Sequence, residues 1–272
     1  MKRAHSTICV QPPKCGGGES KNKNMNTIYI LWLRQLKKYI RSTPRIIGSL
    51  GQPLLFLLVF GFGFSSIFER AGGGSYIQFL VPGIVAMAVV FTAIFGGIEL
   101  IWDRQFGFLK ETMVAPVSRF SIMLGRSIGG ATVAVIQGIA ILIISFLVGF
   151  KMANPLMIFP ALIFMFLIAF FFTALGTAIA SKLFDMQAFP IIMNFLVMPL
   201  FFLSGSIFPL DTAPRALQII GKFDPLTYGI DGLRYSLIGV SHFSPYFDFL
   251  ILAGFSLVVL FLGKYLFEKM EA

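Results

Sequence analysis

Charge is scarce in this chain. Asp, Glu, Lys and Arg make up 12% of its 272 residues, about half the share of an average soluble domain. Whole stretches carry none: residues 46–68, 76–98, 127–150, 152–181, 186–210 and 249–263. Histidine is nearly absent (His5 and His242), as is cysteine (Cys9 and Cys15). Cys9 and Cys15 do not have the spacing of a common metal site, and His5 does not complete one; a cytoplasmic tail does not favour a disulfide. H-E-x-x-H, G-x-S-x-G and the phosphate-binding G-x-x-x-x-G-K-[ST] are all missing. The Gly-Lys pairs at 221–222 and 263–264 lack both the earlier glycine and the following hydroxyl. An enzyme acting alone and a chain that binds its own ATP are thereby excluded. The charge-free centres of the apolar runs also speak against a proton-coupled carrier, because such carriers place ionisable partners at depth. Glu99 and Asp185 fall at the ends of runs, where they read as solvated.

What is abundant is apolar surface: 57% of residues are hydrophobic, with 32 Phe and a mean hydropathy of +0.85. The apolar runs approach or exceed the roughly 20 residues needed to cross a bilayer. The sequence thus predicts an all-α integral membrane protein with six transmembrane helices, at about 45–68, 76–101, 122–150, 153–181, 186–206 and 246–267. With alternating crossings, Arg70, Lys151, Arg215, Lys222 and Arg234 fall on one side and the other seventeen of 22 Lys and Arg on the opposite side. The positive-inside rule puts the richer side, and both termini, in the cytoplasm. The net charge of +10 is an orientation signal, so no nucleic-acid partner is expected.

Residues 1–25 are polar and read as a disordered tail, with Met25 resembling a natural start; residues 26–272 form one transmembrane domain. In "TIYILWLRQLKKYIR" (27–41), Tyr29, Trp32, Leu33, Leu36 and Ile40 share one helical face and Arg34, Lys37, Lys38 and Arg41 the other. This predicts a helix lying in the membrane interface, ended by Pro44. The connection 103–119 carries Phe106, Leu109 and Met113 at helical spacing, with Pro116 closing it. The glycines of "GGIEL" and "RSIGGATVAVIQG" suit close helix packing. Between the fifth and sixth runs, "APRALQIIGKF" and "LTYGIDGLRYSLIG" are too short and too charged to span, yet apolar enough to sink into the outer leaflet as a re-entrant segment (207–240). Asp224–Pro225 starts the second piece. Asp231 and Arg234 at i, i+3 read as a local ion pair, and Tyr228 as an aromatic anchor at the interface.

"FGFLKETMVAPVSR", followed by "FLSGSIFPLDTAPRALQIIGKFDPLTYGIDGLR", resembles the membrane subunit of ABC-2 type transporters, in particular the drug-exporter permeases typified by the daunorubicin-resistance permease. The resemblance covers nearly all of residues 26–270. Asp224 departs from it, since the family more often has Asn there. The resemblance implies a permease paired with a second permease, most simply as a homodimer, and with two copies of a soluble P-loop ABC ATPase. No cofactor would be bound by this chain; ATP and Mg2+ would sit on the partner ATPase. The interfacial helix, through Trp32, Arg34, Lys37, Lys38 and Arg41, and the 103–119 connection would contact that ATPase. Phe108, Leu109, Lys110, Glu111, Thr112, Met113, Val114 and Ala115 would be the coupling element, with Glu111 the main polar contact. Gly205, Phe208, Pro209, Asp224, Pro225, Tyr228, Asp231 and Arg234 would belong to an extracellular gate. Substrate would pass between the copies along spans one, two and five, in the plasma membrane of a prokaryote. A drug or lipid-like molecule is the expected cargo. A polysaccharide or lipid-linked glycan is the alternative within the fold, and a non-transporting membrane anchor for an ATPase the rival outside it.

Overall fold

Residues that are apolar on every face can only be buried by one another or by lipid, and a helix is the simplest element that satisfies its own backbone there. The computed structural model describes residues 17–65, 70, 75–108, 118–183, 185–209 and 214–269. Its elements are α1 (Gly17–Arg41), α2 (Thr43–Gly63), α3 (Tyr76–Phe95), α4 (Ile98–Gln105), α5 (Arg119–Leu147), α6 (Ile158–Ala180), α7 (Ala188–Leu203), α8 (Arg215–Phe223), α9 (Pro225–Ile238) and α10 (Pro245–Glu268). No strand occurs among the described residues. Among the described residues, five helical stretches are long and apolar enough to cross a membrane: Thr43–Gly63, Tyr76–Gln105, Arg119–Leu147, Pro155–Ala180 and Pro245–Phe267. The expected fifth span is shorter. α7 has 16 residues, a rise of about 24 Å, and ends where Gly205 turns the chain with φ 72°.

α3 is the central helix. Residues 81–90 are buried without interruption, enclosed by α2, α5, α6 and α9. Span two is therefore walled off by its own chain and does not line an open path in this conformation. Backbone approach at one end of α3 is close enough to demand glycine: a Cβ on Gly176 would sit 2.8 Å from the Ile94 carbonyl oxygen, and one on Gly97 would sit 2.7 Å from Gly176. Overpacking of this kind costs about 1–3 kcal/mol where neighbours can shift, and here the obstacle is backbone. Gly176→Leu is expected to lower the thermal unfolding temperature of the purified protein sharply, while Gly48→Leu, in open space, leaves it nearly unchanged.

α1 begins at Gly17, so residues 17–25, expected to be disordered, are part of the helix. It runs alongside the first half of α5 in the same direction. Gly125 faces Ile28 and Leu31, Gly129 faces Trp32 and Gln35, and the Tyr39 hydroxyl reaches Gln137. Its seam differs from the expected stripe: Leu31 and Tyr39 are buried, whereas Tyr29 and Ile40 are exposed. The wheel placed the polar residues correctly as a group but missed that two cations also face inward, as the site shows. α2 is the opposite case, exposing Leu55, Leu58, Val59 and Phe62. α7 likewise exposes Ile191 and Phe195.

α8 and α9 form a tight pair between α7 and α10. Asp224 caps α9 by accepting from the Leu226 amide at 2.8 Å, and Pro225 occupies the first turn, where its missing N–H is no loss. α9 is wedged against α6 and α10: a Cβ on Gly229 would meet Ile168 and one on Gly232 would meet Phe164. Gly239 closes the helix in the left-handed conformation, φ 75°, and the Leu237 carbonyl accepts from the Ala153 amide at 3.0 Å. Since Phe164 and Ile168 lie well inside α6, the Asp224–Pro225 corner is the buried tip of this fold-back.

Candidate functional site

At the basic end, α4 places Glu99 and Asp103 one turn apart on one face. Both are buried, at 3% and 6% exposure, which corrects the expectation of a solvated Glu99. Asp185, by contrast, is exposed and accepts from the Gln187 amide. Asp103 pairs with Arg34 of α1 at 2.9 Å and with the buried Arg126 of α5. Glu99 pairs with Lys38 at 3.5 Å and with Arg45 at the start of α2. Two carboxylates thus hold α1, α2 and α5 onto the short helix that leads into the 103–119 connection. Trp32 adds a neutral tie, its indole N–H donating to Thr132 Oγ1 at 3.1 Å. Burial pushes the Tyr39 phenol up, with the positive charge of Arg45 acting the other way. The clamp reaches toward the expected coupling element: the Arg34 guanidinium lies 5.8 Å from the Phe108 ring centre. Phe106 and Phe108 are exposed. Leu109, Lys110, Glu111, Thr112, Met113, Val114 and Ala115 lie outside the described residues.

Of the five residues singled out on α1, then, Trp32, Arg34 and Lys38 have partners inside the chain, and Lys37 and Arg41 point outward and exposed. Asp103 and Arg126 were not singled out from the sequence, although a signal existed. Arg34 and Lys38 are four apart, as are Glu99 and Asp103, and that matched spacing is what two facing helices need to pair twice.

At the other end, the fold-back brings the expected gate residues together with different partners from those expected. Asp231 does not rely on Arg234. Its carboxylate accepts from the amides of His242 (2.9 Å) and Phe243 (2.8 Å), tying the loop after α9 back onto the helix. Arg234 instead donates to the Gly205 carbonyl at 3.0 Å and lies 4.1 Å over the Phe79 ring. It therefore holds α9 to the end of α7 and the start of α3. Tyr228 is buried, donating to the Lys222 carbonyl at 2.7 Å, with Phe243 and Phe247 against its ring. It braces α8 on α9 and is not an interfacial anchor. Thr227 reaches the Gly221 carbonyl in the same way, at 2.8 Å. Phe208 is part-exposed, and the preceding Ile207 carbonyl takes the Tyr76 hydroxyl at 3.0 Å. A cavity of about 410 Å³ opens here, with Gln78, Phe79, Gly205, Pro209, Asp231 and Arg234 in its wall. Asp248 of α10 is fully buried beside the Asp231 carboxyl.

The class is defined by these features together: a body that is all-helical among the described residues, with five helices apolar enough to cross a membrane, a buried ion-pair cluster at one end and a folded-back helix pair at the other, in a sequence without a nucleotide-binding motif. Residues 26–238 match the model of the ABC-2 type transporter family, and the chain belongs to that family. Among its relatives, the transport permease ycf38 of Cyanophora paradoxa is 30% identical over 260 residues, covering 89% of this chain and 88% of that one. Nodulation protein J of Rhizobium leguminosarum bv. trifolii is 29% identical over 213 residues, 78% of each chain. The inner membrane transport permease YadH of Escherichia coli (strain K12) is 25% identical over 235 residues, 85% of this chain and 88% of that one. The chain is thus a membrane permease subunit, and its family implies partnership with an ABC ATPase.

Proposed function

We infer that this permease exports a hydrophobic or amphiphilic molecule by alternating access, driven by ATP hydrolysis on two separate ABC ATPase subunits that carry the nucleotide and Mg2+. The observation that supports it best is the charged clamp. Movement imposed on the 103–119 connection is passed on at its base, because Glu99 and Asp103 fasten α4 to three other helices. A push there moves α1, α2 and α5 as one unit. α7 completes six crossings, with the termini cytoplasmic in a prokaryotic plasma membrane. The exposed apolar faces of α2 and α7 meet a second copy of the chain. Leu55, Val59, Phe62, Ile191 and Phe195 then form an apolar seam along which an amphiphilic cargo passes, and the α8–α9 fold-back closes its outer end.

The coupling assignment is tested at Glu111. With the ATPase co-reconstituted, Glu111→Ala is expected to reduce ATP-driven efflux by about tenfold, the loss that follows from removing roughly 1.4 kcal/mol of coupling. ATP hydrolysis and expression should persist. Transport at full rate in that variant would remove Glu111 from the coupling element.

A further inference from the structure

Where α1 ends and α2 begins, the chain encloses a groove of about 690 Å³, walled by Ile30, Leu33, Lys37, Arg41, Ser42 and Pro44, with Arg34 and Lys38 at its inner edge. Its charge is out of balance. The two carboxylates nearby are already engaged, Asp103 with Arg34 and Arg126, and Glu99 with Lys38 and Arg45. Lys37 and Arg41 are exposed and have no acidic partner among the described residues. They are four apart on one helix face, where like charges repel. The first turn of α2 presents its electropositive end beside the carbonyl end of α1, and the Ser42 side chain at its cap makes no capping hydrogen bond. Apolar side chains are exposed in the groove's wall and on the same two helices: Ile30 in the wall at 61%, and Ile40 of α1 and Ile47 of α2 at 63% and 71% exposure.

We propose that this groove binds the phosphate headgroup of an anionic phospholipid, with Lys37, Arg41 and the Ser42 hydroxyl on the phosphate and the exposed isoleucines against its acyl chains. A phosphate supplies the negative charge that the chain itself withholds, and only a ligand with an apolar tail also covers the flanks. A free phosphate shares the first chemistry and lacks the second. An acidic protein surface, such as that of the partner ATPase, would leave the isoleucines uncovered at the membrane boundary. Holding the α1–α2 corner in the headgroup layer gives the clamp a fixed point to push against.

The only two tryptophans, Trp32 and Trp102, serve as the reporter; the Trp102 ring lies 5.8 Å from Lys38 at the groove's edge. The full chain is reconstituted in phosphatidylcholine vesicles containing a fixed fraction of brominated phosphatidylglycerol or, separately, of brominated phosphatidylcholine, and quenching is measured. Phosphatidylglycerol is expected to quench preferentially. The Lys37→Gln/Arg41→Gln double variant is expected to weaken that preference by up to about thirty-fold, roughly fivefold for each cation near an anionic surface. Both changes are at exposed positions and glutamine is a good helix former, so folding is preserved. Equal quenching by the two lipids overturns the proposal, as does a preference that survives in the double variant. Reversal of the quenching by millimolar inorganic phosphate reassigns the groove to a free anion. If the variant loses the ATPase while keeping its lipid preference, the surface belongs to the protein partner.

Discussion

Replacing Asp103 with alanine is expected to destabilise the protein by about 3–5 kcal/mol, the usual loss when one member of a buried ion pair is removed. The reason is Arg126, at 4% exposure, which would keep its charge and lose its carboxylate. Arg34, much more exposed on its side chain, contributes little to that loss, because water screens it. Thermal unfolding in detergent measures the effect. The companion experiment separates stability from coupling. Asp103→Leu/Arg126→Met replaces the buried pair with apolar groups, which is commonly neutral or stabilising. That variant is expected to recover most of the stability yet to transport poorly, since α4 is no longer fastened to α1 and α5. Full recovery of transport in the double variant would reduce the clamp to a packing feature.

The second large effect is expected at Asp231. Asp231→Ala removes the acceptor of the His242 and Phe243 amides and leaves Asp248 buried beside a methyl group. The two amide bonds are part-buried and end on a charged group, where each contributes about 1.5–3 kcal/mol, so a total near 3 kcal/mol is expected, concentrated in the loop after α9. The functional consequence is a loose outer closure. Liposomes holding the resting complex should leak a small trapped dye several-fold faster than the wild type. Asp231→Asn, which keeps an acceptor oxygen, should leak less than Asp231→Ala. A change in preference among substrates, with the resting leak unaltered, would instead make the cavity beside Asp231 and Arg234 a substrate site.

The membrane class and the helical runs were legible because they depend on composition and periodicity, which tertiary contacts do not override in apolar surroundings. The cap at Asp224 was legible too, since Asp-Pro has a local meaning that packing leaves intact. What the chain concealed was pairing across distance. Glu99 looked solvated at the end of a run because nothing local reveals that Lys38 and Arg45 come to meet it. Asp231 and Arg234 looked like partners because they are neighbours on one helix. Yet an amide pair eleven and twelve residues on, and a carbonyl at Gly205, lie closer in space. The short α7 was hidden by Ser204 and Gly205, polar enough to break a helix and small enough to pass unnoticed within an apolar run.

The most direct test of ATP-driven export uses inverted vesicles containing this chain and its ABC ATPase, with accumulation of a fluorescent amphiphile followed inside them. Accumulation is expected to require both proteins and hydrolysable ATP, and to continue when ionophores collapse every ion gradient. Accumulation that proceeds without ATP under an imposed ion gradient, and stops when the gradient is removed, would contradict it.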